Sequence, residues 1–162
     1  MTIDNARREI IKSIGTLYGQ NEANNIAELL IESITKLPRS DRIIRGNETL
    51  SIAQKNLLDS SISRLQTYEP IQYIINEAWF AGMRFYVDKS VLIPRPETEE
   101  LVEWVVGECG RGMEYKILDV GTGSGCIAIA VKNKLPAVEV WACDISDEAV
   151  NIARINADAL HV

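Results

Sequence analysis

Through about residue 68 the apolar positions recur every three or four residues, the period of one helix face. Ile10, Ile11, Ile14, Leu17 and Tyr18 mark a first helix, punctuated by Gly19. Ala23, Ile26, Ala27, Leu30, Ile31 and Ile34 mark a second, which Leu37-Pro38 stops. A short helical turn is expected over residues 40–44, ending by Gly46. Ile52, Ala53, Leu57, Leu58, Ile62 and Leu65 then outline a further amphipathic helix. No strand pattern interrupts them and no chemistry-bearing cluster stands among them. Residues 1–68 are therefore expected to form an all-α helical bundle acting as an interaction or substrate-recognition domain.

At Glu69-Pro70 the rhythm changes. Residues 79–87, Trp-Phe-Ala-Gly-Met-Arg-Phe-Tyr-Val, predict an aromatic-rich β-hairpin around a glycine turn, within a linking segment over residues 69–96. Pro96 followed by Glu97, Glu99 and Glu100 is favourable helix N-terminal chemistry, with Leu101, Val102, Trp104 and Val105 on the apolar side. Gly110 and Gly112 punctuate. Residues 116–120 predict a buried parallel strand, 127–135 a helix stopped by Pro136, 138–143 a second strand and 147–160 a second helix. That order is the βαβα unit of a doubly wound α/β sheet, so residues 97–162 are assigned to a Rossmann-like domain.

Composition alters this picture little. With 46% hydrophobic and 25% charged residues the chain is an ordinary globular mixture, and no apolar run nears the roughly 20 residues that span a bilayer. A formal charge of −6 argues against direct nucleic-acid binding. Three cysteines, Cys109, Cys126 and Cys143, form no Cys-x-x-Cys pair; buried thiols in a reducing cytoplasm are expected, without a metal. The start of the chain lacks the pattern of a secretory signal. His161, the single histidine, is given no role.

The chemistry lies at Asp119-Val120-Gly121-Thr122-Gly123-Ser124-Gly125, a glycine loop directly after a strand and before a helix, where ligands bind in α/β sheets. Asp144 closes the second strand, placed to accept hydrogen bonds from both hydroxyls of an adenosine ribose. The dinucleotide fingerprint Gly-x-Gly-x-x-Gly would need glycine where Cys126 stands. Asp119, two residues before the first glycine, would repel a pyrophosphate but suits the cationic sulfonium and ammonium of S-adenosylmethionine. Asp119, Gly121, Thr122, Gly123, Ser124, Gly125 and Asp144 are thus the candidate residues for that cofactor, and a NAD-dependent dehydrogenase is the weakest rival.

Four stretches carry a resemblance: Glu69-Pro70-Ile71-Gln72-Tyr73-Ile74, then Trp79-Phe80 with Phe85-Tyr86-Val87, then Val91-Leu92-Ile93-Pro94-Arg95-Pro96-Glu97-Thr98-Glu99, and the glycine loop with its flanks. Together they resemble the release-factor glutamine methyltransferase family, across essentially the whole chain. The resemblance implies N5-methylation of the glutamine in the Gly-Gly-Gln motif of class I peptide chain release factors. It implies a release-factor docking role for the helical domain, and Arg95, Glu97 and Thr98 at the site entrance. Asn76 stands where the family often has glycine.

The family also carries Asn-Pro-Pro-Tyr after the fourth strand, which orients the substrate amide. None of the five prolines here are adjacent, so that motif is absent. The chain is expected to be the N-terminal portion of such an enzyme. By itself it should be inactive and prone to self-association or partial disorder after about residue 112, because a short sheet leaves open edges. Rival readings are a non-catalytic release-factor adaptor, a methyltransferase for a ribosomal-protein glutamine, and a DNA adenine methyltransferase, which the charge disfavours.

Overall fold

A computed structural model describes residues 1–109 and 115–162. The glycine punctuation expected at Gly110 and Gly112 lies outside the described residues. The chain divides into two compact units, Met1–Ile75 and Asn76–Val162.

The first unit is helical. Helix α1 (Ile3–Tyr18) starts at Thr2, whose hydroxyl accepts from the Asn5 N–H. Gly19, at φ 78°, turns the chain directly into α2 (Gln20–Thr35). Short α3 (Arg39–Ile44) follows Pro38, and α4 (Ile52–Leu65) opens on a reciprocal cap between Ser51 and Gln54. The core joins Ile3, Ala6, Ile10 and Ile14 of α1 to every apolar position foreseen on α2. Leu58, Ile62 and Leu65 of α4 complete it, with Ile71 and Ile74 of α5 (Ile71–Ile75).

Several details differ from the sequence reading. Leu17 is exposed and the α1 stripe begins earlier, at Ile3 and Ala6. On α4, Ile52 and Leu57 face solvent, and the buried face is the one carrying Leu58, Ile62 and Leu65. The helical unit also runs to Ile75, past the boundary placed at 68, since Pro70 starts a helical turn that places Ile71 and Ile74 in the core. A lone bridge between Thr2 and Thr49 is the extended pairing described in this unit.

Arg42 of α3 is buried, donating to Glu28 and Glu32 of α2 at 3.1 and 2.8 Å and to the Leu37 carbonyl at 2.6 Å. Arg7 of α1 reaches the same Glu28. Burial pushes the Glu28 carboxyl up, yet the hydrogen bonds from Arg7 and Arg42 outweigh it and hold it below the ordinary glutamate range.

In the second unit β1 (Ala78–Phe80) and β2 (Met83–Phe85) pair antiparallel in the expected hairpin. The two turn residues, Ala81 and Gly82, both have positive φ, 48° and 74°, the requirement of a type I′ turn. The Ala81 N–H is held by Glu99 Oε1 at 2.9 Å, from α6 (Glu97–Cys109). Asn76 adopts φ 55°, as expected for its turn, and donates to the Val87 carbonyl. Phe80 and Phe85 stack edge to face over Val102, Ile129 and Val131.

β3 (Lys116–Val120) and β4 (Glu139–Cys143) pair in parallel around α7 (Cys126–Lys134), and α8 (Asp147–Leu160) follows. This is the expected βαβα order, with two strands described in the sheet. The expectation that β3 is buried is corrected. Ile117 and Val140 point inward, but Leu118, Val120 and Trp141 are 61%, 73% and 61% exposed, because no described element covers the other sheet face. Similarly on α6, Val102, Val105 and Val106 form the packed side, while Trp104 and Leu101 lie outside it. Cys126 is buried, and burial pushes its thiol up; Cys143 is exposed, contrary to expectation, since it shares the open face with Val120. His161 caps α8 in a left-handed conformation.

Candidate functional site

The glycine loop leaves the end of β3 and enters α7 through three left-handed glycines, Gly121, Gly123 and Gly125, at φ 79°, 55° and 81°. Alternation of glycine with Thr122 and Ser124 thus meets a backbone requirement, since a side chain at these angles is strained. The three differ in surroundings. A Cβ on Gly121 or Gly123 would meet nothing within 4 Å. A Cβ on Gly125 would come to 3.0 Å of Ile129 Cδ1 and 3.1 Å of Ala153 Cβ. Two glycines therefore bare their backbone to open space, and the third lets α7 and α8 approach closely.

Carboxylates hold the loop in shape. The Thr122 hydroxyl donates to Asp119 Oδ2 at 2.7 Å, and the Gly123 N–H donates to Asp144 Oδ2 at 2.9 Å. The other Asp144 oxygen accepts the Ser146 N–H at 3.1 Å. These backbone donors, Ser146 first and then Gly123, hold the Asp144 carboxyl below its ordinary value. The N–H groups of Gly121 and Thr122 both donate to the Cys143 carbonyl, fastening the start of the loop to the end of β4. Asp119, Gly121, Thr122, Gly123, Ser124, Gly125 and Asp144 consequently stand together around one loop. The side chains of Thr122 and Ser124 are buried, which leaves backbone groups as their contribution on the open side.

Arg95, Glu97 and Thr98 lie at the start of α6, where the Thr98 N–H donates to the Arg95 carbonyl. Among the described residues no hydrogen bond or ion pair ties them to the loop. A cavity of about 300 Å³ lies between α7, β4 and α8, lined by Ala128, Ala153 and Ala157 with Lys132 and Arg154, and it includes neither Asp119 nor Asp144. Among the described residues no acid, histidine or cysteine cluster could hold a metal, and no helix is long and apolar enough to cross a membrane.

Sequence reasoning passed over Asn156. It is 1% exposed on α8 and hydrogen-bonds to the loop through the Ser124 carbonyl. The available signal was a lone amide falling on the same helix face as Ala149 and Ile152.

Residues 7–75 match the family described as PrmC N-terminal domain, and residues 99–162 match the family described as ribosomal protein L11 methyltransferase (PrmA). A helical N-terminal domain followed by a methyltransferase segment defines the class.

The release factor glutamine methyltransferase of Flavobacterium psychrophilum is 38% identical over 160 residues, covering 97% of this chain and 56% of that protein. Its namesake from Bacteroides thetaiotaomicron is 41% identical over 151 residues, covering 93% of this chain and 54% of its own. That from Chlorobaculum tepidum is 36% identical over 159 residues, with 93% and 54% covered. The chain belongs to the release factor glutamine methyltransferase family, and it spans about half the length of the curated relatives it matches.

Proposed function

We propose that this chain supplies the cofactor-binding and partner-docking portion of an S-adenosylmethionine-dependent methyltransferase acting on a glutamine side chain of a peptide chain release factor. The observation that carries the reading is the loop geometry: open space at Gly121 and Gly123 beside the Asp144 carboxyl, which accepts the Gly123 N–H. S-adenosylmethionine fits the residues present. Each Asp144 oxygen accepts one backbone N–H and keeps lone-pair capacity for a ribose hydroxyl. Asp119 brings negative charge to the side where a cationic sulfonium would be stabilised. When bound, the cofactor supplies an electrophilic methyl group.

The chain's own residues bind and orient; they do not activate the acceptor. An amide nitrogen is a poor nucleophile, so the rate must come from positioning it against the methyl donor. The resemblance assigns that task to Asn-Pro-Pro-Tyr, which is not among these 162 residues. The reading is therefore that the 162 residues alone bind cofactor weakly and turn over no release factor. The acceptor glutamine is the one in the Gly-Gly-Gln motif, and the helical unit contributes the docking surface. The setting is the cytoplasm.

The test is calorimetry with S-adenosylmethionine on the wild type and on Asp144→Asn. Binding by the wild type with at least tenfold weakening in Asp144→Asn is expected. Equal affinity in both would remove Asp144 from the site. Methyl transfer to a release factor by the 162 residues alone would refute the division of labour. One observation favours a second reading, a ribosomal-protein acceptor: the methyltransferase segment matches the L11 methyltransferase family. The helical unit's match to the PrmC domain favours the first.

A further inference from the structure

Asn156 lies on the buried side of α8, and its carboxamide is fully engaged with backbone that is remote in sequence. Oδ1 accepts the Tyr86 N–H at 2.7 Å, while Nδ2 donates to the Tyr86 carbonyl at 3.0 Å and to the Ser124 carbonyl at 2.8 Å. Tyr86 directly follows β2, and its backbone pairs with this amide as it would with a neighbouring strand. The orientation is determined: flipping the amide would set NH₂ against N–H and oxygen against two carbonyls.

Three consecutive loop residues are thus held by three side chains: Thr122 by Asp119, Gly123 by Asp144 and Ser124 by Asn156. The two aspartates belong to the strand ends that carry the loop. Asn156 alone among the three reaches outward, to the segment that runs from the hairpin toward Arg95 and α6.

We propose that Asn156 is a positioning residue that locks the cofactor loop to the chain leaving the hairpin, so that cofactor binding at residues 121–125 and ordering of residues 86–92 are coupled. The inference rests on the reading of that loop as a cofactor site. Its physical basis is that the Ser124 carbonyl is buried and the Tyr86 backbone groups partly so, so that losing the amide leaves polar groups short of partners. Removing the donors releases the loop and the hairpin exit together. Asn156→Asp is the sharpest change, keeping the shape and the acceptor toward Tyr86 while setting a charged oxygen against two carbonyls.

The experiment measures S-adenosylhomocysteine affinity and backbone amide exchange in the wild type, Asn156→Asp, Asn156→Ala and Ile152→Ala. Ile152 is buried on the same helix and serves as the control for destabilisation alone. The expected result is a tenfold or greater loss of affinity in both Asn156 variants, with faster exchange at Tyr86 and in the loop together. Ile152→Ala should lower the melting temperature while keeping affinity within threefold.

Affinity within twofold of wild type in Asn156→Asp overturns the inference. So does an equal loss in an Ile152→Ala protein of matched melting temperature. Should the Asn156 variants not fold, the wild type decides: ligand must slow exchange at Tyr86 as well as in the loop, and protection confined to the loop overturns the coupling. A wild type that binds no S-adenosylhomocysteine removes the cofactor reading and this inference with it. A wild type that binds, with Asn156→Asp binding equally, removes the inference alone.

Discussion

The helical unit and the βαβα unit treat their apolar residues differently. In the first, Ile10, Ile14, Leu30, Leu58 and Leu65 are essentially sealed, and the core closes within about seventy-five residues of local helix pairing. In the second, α6 and α7 seal one side of the sheet, while Leu118, Val120 and Trp141 stand open on the other. The contrast follows from geometry. A helix presents one apolar stripe and is satisfied by its neighbours, whereas a parallel strand is apolar on both faces and needs a layer on each. A helical module can be complete over a short stretch, and a parallel sheet cannot.

The largest effect that would break this comparison is a paired truncation. Leu30→Ala should cost about 2–5 kcal/mol in urea unfolding, as a sealed core leucine does. Leu118→Ala on the open face should stay within about 0.5 kcal/mol. Equal costs would mean that the open face is covered in solution, as by a second copy of the chain.

A second pair compares left-handed glycines. Gly125→Ala combines φ 81° with contacts near 3.0 Å and should cost about 1–3 kcal/mol in thermal melts. Gly82→Ala, at φ 74° in the hairpin turn with nothing within 4 Å, should cost about 1 kcal/mol. If the order reverses, the close approach of α7 and α8 is not maintained.

Ser51→Ala removes one half of a reciprocal cap and should cost the helical unit about 1 kcal/mol by the same melts; no change would show that Gln54 holds the first turn unaided. The smallest effect is in pH. The folded-state value of Glu28 is depressed, so its contribution is present above the ordinary glutamate range and is lost as pH falls through the lowered value. Helix content followed from pH 6 to pH 3 should fall more gently for Glu28→Gln than for wild type; parallel curves would show that the Arg7–Glu28–Arg42 cluster carries no linkage.

How much was readable beforehand depended on whether the information was local. The α2 stripe was recovered entire because all six of its buried residues answer to one period. The hairpin and the loop were readable for a similar reason, since Ala81-Gly82 and the alternating glycines satisfy local backbone demands. Burial of β3 was misjudged because Ile117-Leu118-Asp119-Val120 reads the same whether one face or two is covered. Trp104 and Leu101 were assigned to the packed side of α6 because periodicity gives spacing and leaves the phase open. Helix α5 was missed, being five residues long and stabilised mainly by placing Ile71 and Ile74 in a core built by other helices. The separate packing role of Gly125 depends on Ala153 of α8, a contact no linear pattern encodes.

The three tryptophans, Trp79, Trp104 and Trp141, all stand exposed in the second unit, and the first has none. The molecule is therefore optically partitioned. Indole emission follows the unit that carries the glycine loop, while the helices of Met1–Ile75 supply much of the far-ultraviolet helix signal without contributing any indole emission. Coincident denaturation curves from the two signals would mean that the units unfold as one, and separated curves would give each its own stability without a label or a mutation.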